Sequence, residues 1–189
     1  METNQRDVAT RVVAELKRHG HIAVFAGGCV RDEILGLEPS DYDVATSALP
    51  DQVESIFERT LPVGKAFGII VVVIDGQTIE VATLRADGQY GDGRRPDSVR
   101  FVTSLEEDAR RREFTMNAMF KDPTTGEIFD FFGGQQDLAD GIIRAVGNAE
   151  ERIDEDRLRM LRAVRFASRY GFEIDPALRS AICKLAPEL

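Results

Sequence analysis

Several residue types are scarce in this 189-residue chain, and each shortage excludes a class of protein. There is no tryptophan, and there are two cysteines and two histidines. Cys29 and Cys183 cannot form a disulfide framework or, with two histidines, indicate a zinc site, so a reducing compartment fits. There is no long apolar run, so the sequence does not predict a transmembrane helix. Met1 to Asp7 is polar and lacks the apolar core of a signal peptide, so we expect a cytoplasmic protein.

The charge balance is acidic, with a formal net charge of −9. This excludes nucleic-acid binding through a generally positive surface but leaves local basic patches open. Arginines do cluster, at Arg94–Arg95, at Arg110–Arg112 and repeatedly between Arg157 and Arg169. With 43% hydrophobic and 30% charged residues, the chain otherwise has the composition of an ordinary globular protein.

Hydrophobic periodicity predicts a mixed α/β region followed by helices. Asp75-Gly76 predicts a tight hairpin between two strands, and the polar, glycine-rich stretch 86–98 predicts a mobile loop. The glycines of 133–141 predict a linker, after which the chain is expected to be helical. The predicted helices are 6–18, 29–35, 50–58, 105–119, 155–170 and 176–185, and the predicted strands are 22–26, 41–45, 68–74 and 78–84.

Two aspartates one residue apart, in "SDYDVAT", are the first candidate site. In a strand, Asp41 and Asp43 would project from the same face, with Tyr42 on the other. Adjacent carboxylates raise each other's pKa unless a cation neutralises them. Oxygen ligands of this kind suit Mg²⁺, which also binds substrate phosphates. Taken alone, this short pattern favours an exposed acidic turn before a strand.

A glycine pair between a predicted strand and a predicted helix is the second candidate. Gly27 and Gly28 lack side chains, so a phosphate could approach the backbone there. Arg31, in the first helical turn, could reach that phosphate. The alternative is a tight turn in which Arg31 pairs with Asp32 or Glu33.

Glu80 is a third acidic candidate, in the alternating stretch "TIEVATL". A carboxylate in a central strand needs a partner, so Glu80 could face the same metals as Asp41 and Asp43. An edge strand with Glu80 in water is the alternative.

Several long motifs, in order, carry a family resemblance. These are "GGCVRDEILGLEPSDYDVAT", "RADGQYGDGRRPDSVRFVTSLEEDARRREFTMNAM", "DFFGGQQDLADGIIRAVG" and "EDRLRMLRAVRFASRYGF". Between Ile22 and Phe172 the chain resembles class II tRNA nucleotidyltransferases and bacterial poly(A) polymerases, of the DNA polymerase β-like superfamily. The resemblance implies an α+β head domain with a mixed, largely antiparallel sheet at 1–148. A truncated, all-α neck segment for RNA binding would follow at 149–189.

The resemblance also implies roles for individual residues of the head. Gly28 and Arg31 match positions that bind the nucleotide triphosphate, and Asp41 and Asp43 match the catalytic, metal-binding pair. Arg112 matches an arginine that contacts the nucleotide. Glu113 stands where the family usually has aspartate, which puts the role of that position in doubt.

The motif "EDRLR" implies a base-reading site on the helical segment. Asp156 and Arg159 match the residues that recognise the base edge of CTP or ATP, and on one helix they would share a face. A carboxylate accepts from an exocyclic amino group, and a guanidinium donates to ring acceptors. Arg162 and Arg165 match further nucleotide-contacting arginines. Core positions are expected at Leu158, Leu161, Phe166 and Tyr170. Without the resemblance, a solvated, salt-bridged helix face explains the same charges.

The implied activity is Mg²⁺-dependent transfer of CMP or AMP from CTP or ATP to the 3′ end of a tRNA, with two metal ions and no membrane. The loop 86–98 resembles a flexible loop that accompanies adenine addition. "VGKAFGIIVV" departs from the usual poly(A) polymerase pattern and favours the tRNA enzyme. A poly(A) polymerase and a non-catalytic nucleotide-binding fragment stay open. We expect a C-terminal region or a partner chain, absent here, to complete tRNA binding.

Overall fold

The computed structural model describes residues 4–88 and 97–188. The helices are α1 (Gln5–Arg18), α2 (Gly28–Ile34), α3 (Pro50–Ile56), α4 (Leu105–Arg110), α5 (Gly134–Asp140), α6 (Ala149–Glu155), α7 (Leu158–Tyr170) and α8 (Pro176–Leu185). The strands are β1 (Ala23–Ala26), β2 (Val44–Thr46), β3 (Thr60–Gly64), β4 (Ile69–Ile74), β5 (Gln77–Thr83), β6 (Arg85–Asp87), β7 (Val99–Phe101), β8 (Met119–Lys121), β9 (Ile128–Asp130), β10 (Ile142–Ile143) and β11 (Glu173–Ile174).

The main sheet of the described residues has seven strands in the order β3-β4-β5-β2-β1-β8-β9. β2 and β5 run parallel, and the other neighbours pair antiparallel. The predicted mixed, largely antiparallel sheet is therefore confirmed. Among the described helices, none is both long and apolar enough to cross a membrane.

Helix α1 covers one face of this sheet. Its apolar positions recur at helical spacing, as predicted, and Val8, Val12, Val13 and Leu16 are fully buried. The Asn4 side chain accepts from the backbone N–H of Arg6 and so caps the first turn. Because α1 covers this face, the polar residues of β5 lie on the opposite face. A second core cluster, which includes Val24, Leu84 and Phe120, buries part of that face, and the part beside β5 is the open face.

The predicted hairpin at Asp75-Gly76 is confirmed. β4 and β5 pair in continuous register from Ile69↔Ala82 to Ile74↔Gln77. Asp75 has φ +52° and Gly76 has φ +77°, the left-handed conformations that a two-residue turn with the twist of its strands requires.

The predicted helix 105–119 is much shorter than its periodicity suggested. α4 ends at Arg110, and after a turn the chain forms a single 3₁₀ turn at Thr115–Asn117 before β8. The backbone N–H of Thr115 donates to the Arg144 carbonyl, and that of Val146 donates to the Glu113 carbonyl. These bonds to a distant segment replace the hydrogen bonds that a longer helix would make.

The linker predicted at 133–141 is wrong, because this segment forms α5 and leads into β10. Gly133 (φ +77°) and Gly141 (φ +67°) adopt the left-handed conformation at the two ends of α5. These two glycines therefore delimit a helix instead of marking a flexible connection.

The stretch 86–98 is also partly structured, contrary to prediction. β6 pairs with β7 from Arg85↔Phe101 to Asp87↔Val99. The centre of the predicted loop, residues 89–96, lies outside the described residues. The family loop inferred there stays a prediction.

The helix predicted at 155–170 is broken. Asp156 has φ −145° and ψ 103°, which ends α6, and α7 begins two residues later. The C-terminal segment is helical apart from β11, which pairs in parallel with β10. One hydrophobic core cluster includes residues of both α1 and the three C-terminal helices α6, α7 and α8. The division of the chain near residue 148 therefore stays a prediction.

Two of the core residues predicted on α7 are wrong. Leu158 is 40% exposed and Leu161 is 53% exposed, whereas Met160 and Ala163 are buried instead. The break at Asp156 sets where α7 starts. The buried apolar face of α7 is therefore formed by Met160, Ala163 and Phe166.

Gly134 offers a test of how α5 is packed. A Cβ at this position would lie 2.4 Å from the Thr115 carbonyl oxygen and 2.9 Å from the Met119 sulfur. We expect Gly134→Ala to lower the free energy of unfolding by about 3 kcal/mol, because backbone must move to relieve the overlap. Urea denaturation measures this loss.

Gln135→Ala, at the exposed neighbouring position, is the matched control and should change stability by less than about 0.5 kcal/mol. Equal stability of the two variants would show that α5 does not press against the 3₁₀ turn.

Candidate active site

Four strands meet at one place on the open face of the sheet. Val44 of β2 is paired with Val81 of β5, which sets Asp43 opposite Glu80. The backbone N–H of Ala26 donates to the Asp43 carbonyl (3.0 Å), and that of Gly27 donates to the Met119 carbonyl (3.1 Å). The end of β1, the starts of β2 and β8, and the middle of β5 therefore surround one site.

Asp41 and Asp43 precede the strand predicted to contain them, because β2 begins at Val44. The side chains of Asp41 and Asp43 still point away from that of Tyr42, but for a different reason. Tyr42 is buried, its ring lies 5.0 Å from the ring of Phe25, and its hydroxyl donates to Glu33 Oε1 at 3.1 Å. With Tyr42 anchored inward, Asp41 is exposed and Asp43 is half-buried on the open side.

The carboxylates at this site are electrostatically coupled. Burial, followed by repulsion from Glu80 and Asp41, raises the pKa of Asp43 to about 6, and Arg112 opposes the shift. Burial and the charge of Asp41 likewise raise the pKa of Glu80. Repulsion between close carboxylates is the physical cause, and a bound cation would relieve it.

This donor set fits a divalent metal ion in its chemistry. Carboxylate oxygens are the ligands that Mg²⁺ prefers, and a bound cation would offset both the burial of Asp43 and its repulsion by Glu80 and Asp41. In residues 4–88 and 97–188, no group of three or more His, Cys, Asp or Glu side chains converges on a single point. Asp41 and Asp43 remain the candidate metal-binding pair, and Glu80 is coupled to them electrostatically.

The turn at Gly27 brings an arginine next to these carboxylates. Gly27 has φ +69°, and a Cβ there would lie 3.0 Å from Arg112 Nη1. Arg112 also donates from Nη1 to the Asn117 carbonyl at 3.3 Å and stacks 4.9 Å from the Phe120 ring centroid. A glycine is therefore required at position 27, both by its backbone conformation and by the close approach of Arg112.

Arg31 is buried and held by the protein. Its Nε donates to Asp32 Oδ1 at 2.8 Å, the pairing set out above as the alternative, and its Nη1 donates to Asn117 Oδ1 at 2.6 Å. The guanidinium carbon lies 5.3 Å from the ring of Phe166 and 5.1 Å from that of Tyr170. Its third nitrogen, Nη2, faces Gly28, where a Cβ would lie 3.6 Å away.

Tyr170 adds a second connection from α7 to this arginine, since its hydroxyl hydrogen-bonds Asp32 Oδ1 at 3.0 Å. Phe166 and Tyr170, predicted as plain core residues, thus also fix the orientation of Arg31.

The turn 111–117 links the head to α7 through Glu113. Burial disfavours the Glu113 carboxylate, but attraction to Arg162 and hydrogen bonds from Arg162 and Asn117 outweigh it, so its pKa is lowered. Arg162 donates to Glu113 Oε1, and Asn117 Nδ2 donates to the same oxygen at 3.1 Å. Glu113 therefore stays ionised and holds Arg162 toward the site.

Asp156 and Arg159 lie at the break between α6 and α7 and not on one continuous helix. Asp156 Oδ1 accepts from the backbone N–H of Leu158 at 3.0 Å. Arg159 is buried and donates to the Arg152 carbonyl and to Glu155 Oε2, each at 2.7 Å. Its Nη2 lies 3.5 Å from the Arg111 carbonyl, so this break is next to the turn that carries Arg112.

Arg165 is exposed and lies with its guanidinium carbon 5.0 Å from the Phe166 ring centroid, on the same aromatic side chain that Arg31 and Arg162 approach. The arrangement gathers the three arginines around one ring. The roles predicted for the site residues from the sequence stay predictions.

Sequence reasoning missed two residues that organise this site. Asn117 contacts Arg31, Arg112 and Glu113, and Asp108 contacts Arg112. A spacing signal was available for Asp108, because Arg112 follows it by four residues in a predicted helix. The same spacing relates Glu113 to Asn117, but the contact between Asn117 and Arg31 had no local signal, because Arg31 lies 86 residues away.

Comparison with known proteins defines the class of this fold. Residues 23–144 match the poly(A) polymerase head domain family. The chain therefore belongs to the poly(A) polymerase head domain family.

Individual relatives in this family are CCA-adding enzymes. The chain is 51% identical to the CCA-adding enzyme of Geobacillus thermodenitrificans over 181 residues, which are 96% of this chain and 45% of that protein. It is 46% identical to the enzyme of the same name from Enterococcus faecalis over 186 residues, 98% of this chain and 46% of that protein. The chain thus spans less than half the length of these curated relatives.

Solved structures that resemble this chain are also CCA-adding enzymes. The crystal structure of the Bacillus stearothermophilus CCA-adding enzyme in complex with CTP is similar with a TM-score of 0.89 and 46% identity, covering 98% of this chain and 44% of that one. The Thermotoga maritima CCA-adding enzyme complexed with tRNA is similar with a TM-score of 0.77 and 25% identity, covering 96% and 42%.

The Asn117 side chain can be tested by truncation. Asn117→Ala removes one acceptor of the buried Arg31 and one donor to Glu113, so each buried charged group loses one of its hydrogen bonds. We expect a loss of about 3 kcal/mol in the free energy of unfolding, measured by urea denaturation.

Thr125→Ala, at an exposed turn position, serves as the control and should stay near the wild-type stability. A loss below about 1 kcal/mol for Asn117→Ala would contradict the role of this side chain as the common partner.

Proposed function

We propose that this chain is the catalytic head, with the start of a helical neck at 149–188, of a tRNA nucleotidyltransferase that adds CMP and AMP to the tRNA 3′ end. The observation that carries the proposal is the cluster of Asp41, Asp43 and Glu80 beside the Gly27 turn and Arg112. Acidic side chains next to a glycine turn and a cation suit a metal-bound nucleoside triphosphate. The similarity to CCA-adding enzymes supports CTP and ATP as the substrates.

In this proposal, Asp41 and Asp43 would hold Mg²⁺. When bound, the metal would neutralise charge on the triphosphate and make the RNA 3′-hydroxyl easier to deprotonate. The backbone at Gly27 and Gly28 would leave room for the phosphate oxygens. Arg112 would balance their charge from the other side, because its guanidinium already faces both Gly27 and Asp43.

Arg31 would act in part through its fixed position. Two of its nitrogens are engaged by Asp32 and Asn117, which leaves Nη2 toward Gly28 as the donor for a phosphate. Its charge is buried against two aromatic rings, so it needs little reordering when a nucleotide binds.

Base selection would fall to Asp156 and Arg159. A carboxylate can accept from the amino group of cytosine or adenine, and a guanidinium can donate to the adjacent ring nitrogen. Arg159 already lies against the turn that carries Arg112, and this proximity supports the assignment. Arg162 and Arg165 would add positive charge around the nucleotide.

The tRNA 3′ end is the proposed acceptor. The cytoplasm is the proposed location, in keeping with a free, buried Cys29 and a free, exposed Cys183.

Asp43→Asn tests the metal assignment. We expect nucleotide incorporation to fall by about a thousandfold or more with CTP and with ATP, because one charged ligand of the metal is removed. Single-turnover extension of labelled RNA at saturating Mg²⁺ measures the effect.

Asp75→Asn, an exposed acid in the β4–β5 turn, is the matched control and should retain wild-type rates. Full activity of Asp43→Asn would remove the basis of the proposal. The same assay tests Glu80→Gln. If Glu80 is a third metal ligand, this variant should lose about as much activity as Asp43→Asn. If its carboxylate acts only by repulsion, the loss should be about tenfold or less.

The product can be read from a set of tRNAs that end before CCA, after C, and after CC. With Mg²⁺ and labelled CTP or ATP, we expect CMP to be added to the first two and AMP to the third.

Growth of homopolymeric A tails on unrelated RNA would favour a poly(A) polymerase instead. Nucleotide binding without any incorporation at saturating tRNA would favour a non-catalytic nucleotide-binding unit.

A further inference from the structure

Asp108 is a buried carboxylate that the proposed mechanism does not use. It lies on α4 and is 1% exposed. A charge in this setting is costly unless every lone pair is satisfied by charged or polar donors. Both of its oxygens are in fact occupied, each by a different part of the molecule.

One oxygen is devoted to Arg112. Oδ2 accepts from Arg112 Nε at 3.1 Å and from Nη2 at 2.9 Å. Two donors from one guanidinium fix the plane of that group as well as its position. The remaining nitrogen, Nη1, is then directed to the Asn117 carbonyl and to the Gly27 turn.

The other oxygen holds the base of the β6–β7 hairpin. Oδ1 accepts from the backbone N–H of Arg85 at 3.1 Å, where β6 starts, and from Arg111 Nε at 2.9 Å. A single side chain therefore contacts both the hairpin and the arginine that faces the acidic cluster.

We propose that Asp108 is a positioning residue: it holds Arg112 beside Gly27 and Asp43 for nucleotide binding, and it ties the start of β6 to the same point. This rests on the proposed function, in which Arg112 balances the charge of the triphosphate. Burial disfavours the Asp108 carboxylate, but Arg112 and Arg111 outweigh it and its pKa is lowered, so the residue is charged at neutral pH.

A double-mutant cycle tests the pairing. Asp108→Asn, Arg112→Lys and the double variant are titrated with CTP and with ATP, and Kd, kcat and KM are measured for each. We expect Asp108→Asn to weaken nucleotide binding by about tenfold. The double variant should bind about as weakly as Arg112→Lys alone, because both changes remove the same interaction.

Glu106→Gln is the matched control, an exposed acid on the same helix that pairs with Arg110. It should keep the wild-type Kd within about twofold.

A purely structural role would give a different pattern. In that case Asp108→Asn would lower Tm without changing Kd, or its effect would multiply with that of Arg112→Lys, and either result overturns the proposal. If Asp108→Asn does not fold, Asp108→Glu takes its place in the cycle, since it keeps the charge but moves the carboxylate. An unchanged Kd for Asp108→Glu, with additive effects, overturns it equally.

The outcome also separates this inference from the function it rests on. If the wild type binds neither CTP nor ATP, the proposed function fails and the role of Asp108 falls with it. If the wild type binds both and the cycle is additive, only the role of Asp108 is rejected.

Discussion

Repulsion among Asp41, Asp43 and Glu80 is the constraint on which the rest of the site depends. The sheet places Asp43 opposite Glu80, and the anchored Tyr42 turns Asp41 and Asp43 outward. Burial and the like charges together raise the pKa of Asp43 to about 6. A bound cation would relieve this repulsion, and nearby arginines supply positive charge from the protein itself.

The positive charge near the acidic cluster comes from arginine side chains that are held in one conformation by their contacts. Arg31 packs against two neighbouring aromatic rings and donates to two acceptors, and Arg112 is held by Asp108, Asn117 and Phe120. Fixed charges of this kind need little reorganisation when a ligand binds, which is how proteins obtain strong electrostatic effects in partly buried sites. The same contacts join the sheet to α7, because Phe166 and Tyr170 of α7 contact Arg31.

The parts of the fold that were predicted correctly are those with strong local signals. The amphipathic α1, the buried β1 and the Asp75-Gly76 hairpin each follow from neighbouring residues alone. The errors at 105–119 and 133–141 have a common cause. In the first segment, hydrogen bonds to residues 144–146 replaced a predicted helix, and in the second, glycines delimited a helix where a linker was predicted. Neither outcome is decided by local periodicity.

The sequence by itself determined the acidic pair, the glycine turn and the ordered motifs that indicated the family, because these are covalently adjacent and their spacing carries the chemistry. Only the tertiary structure decided that Arg31 pairs with Asp32 and Asn117, that Asp156 lies at a helix break, and that Asp108 holds Arg112. Which donor meets which acceptor depends on the packing of distant segments, and several carboxylates near each arginine made the local choice ambiguous. Burial then selected the pairings, since an unpaired charge in those positions would cost more than any alternative contact gains.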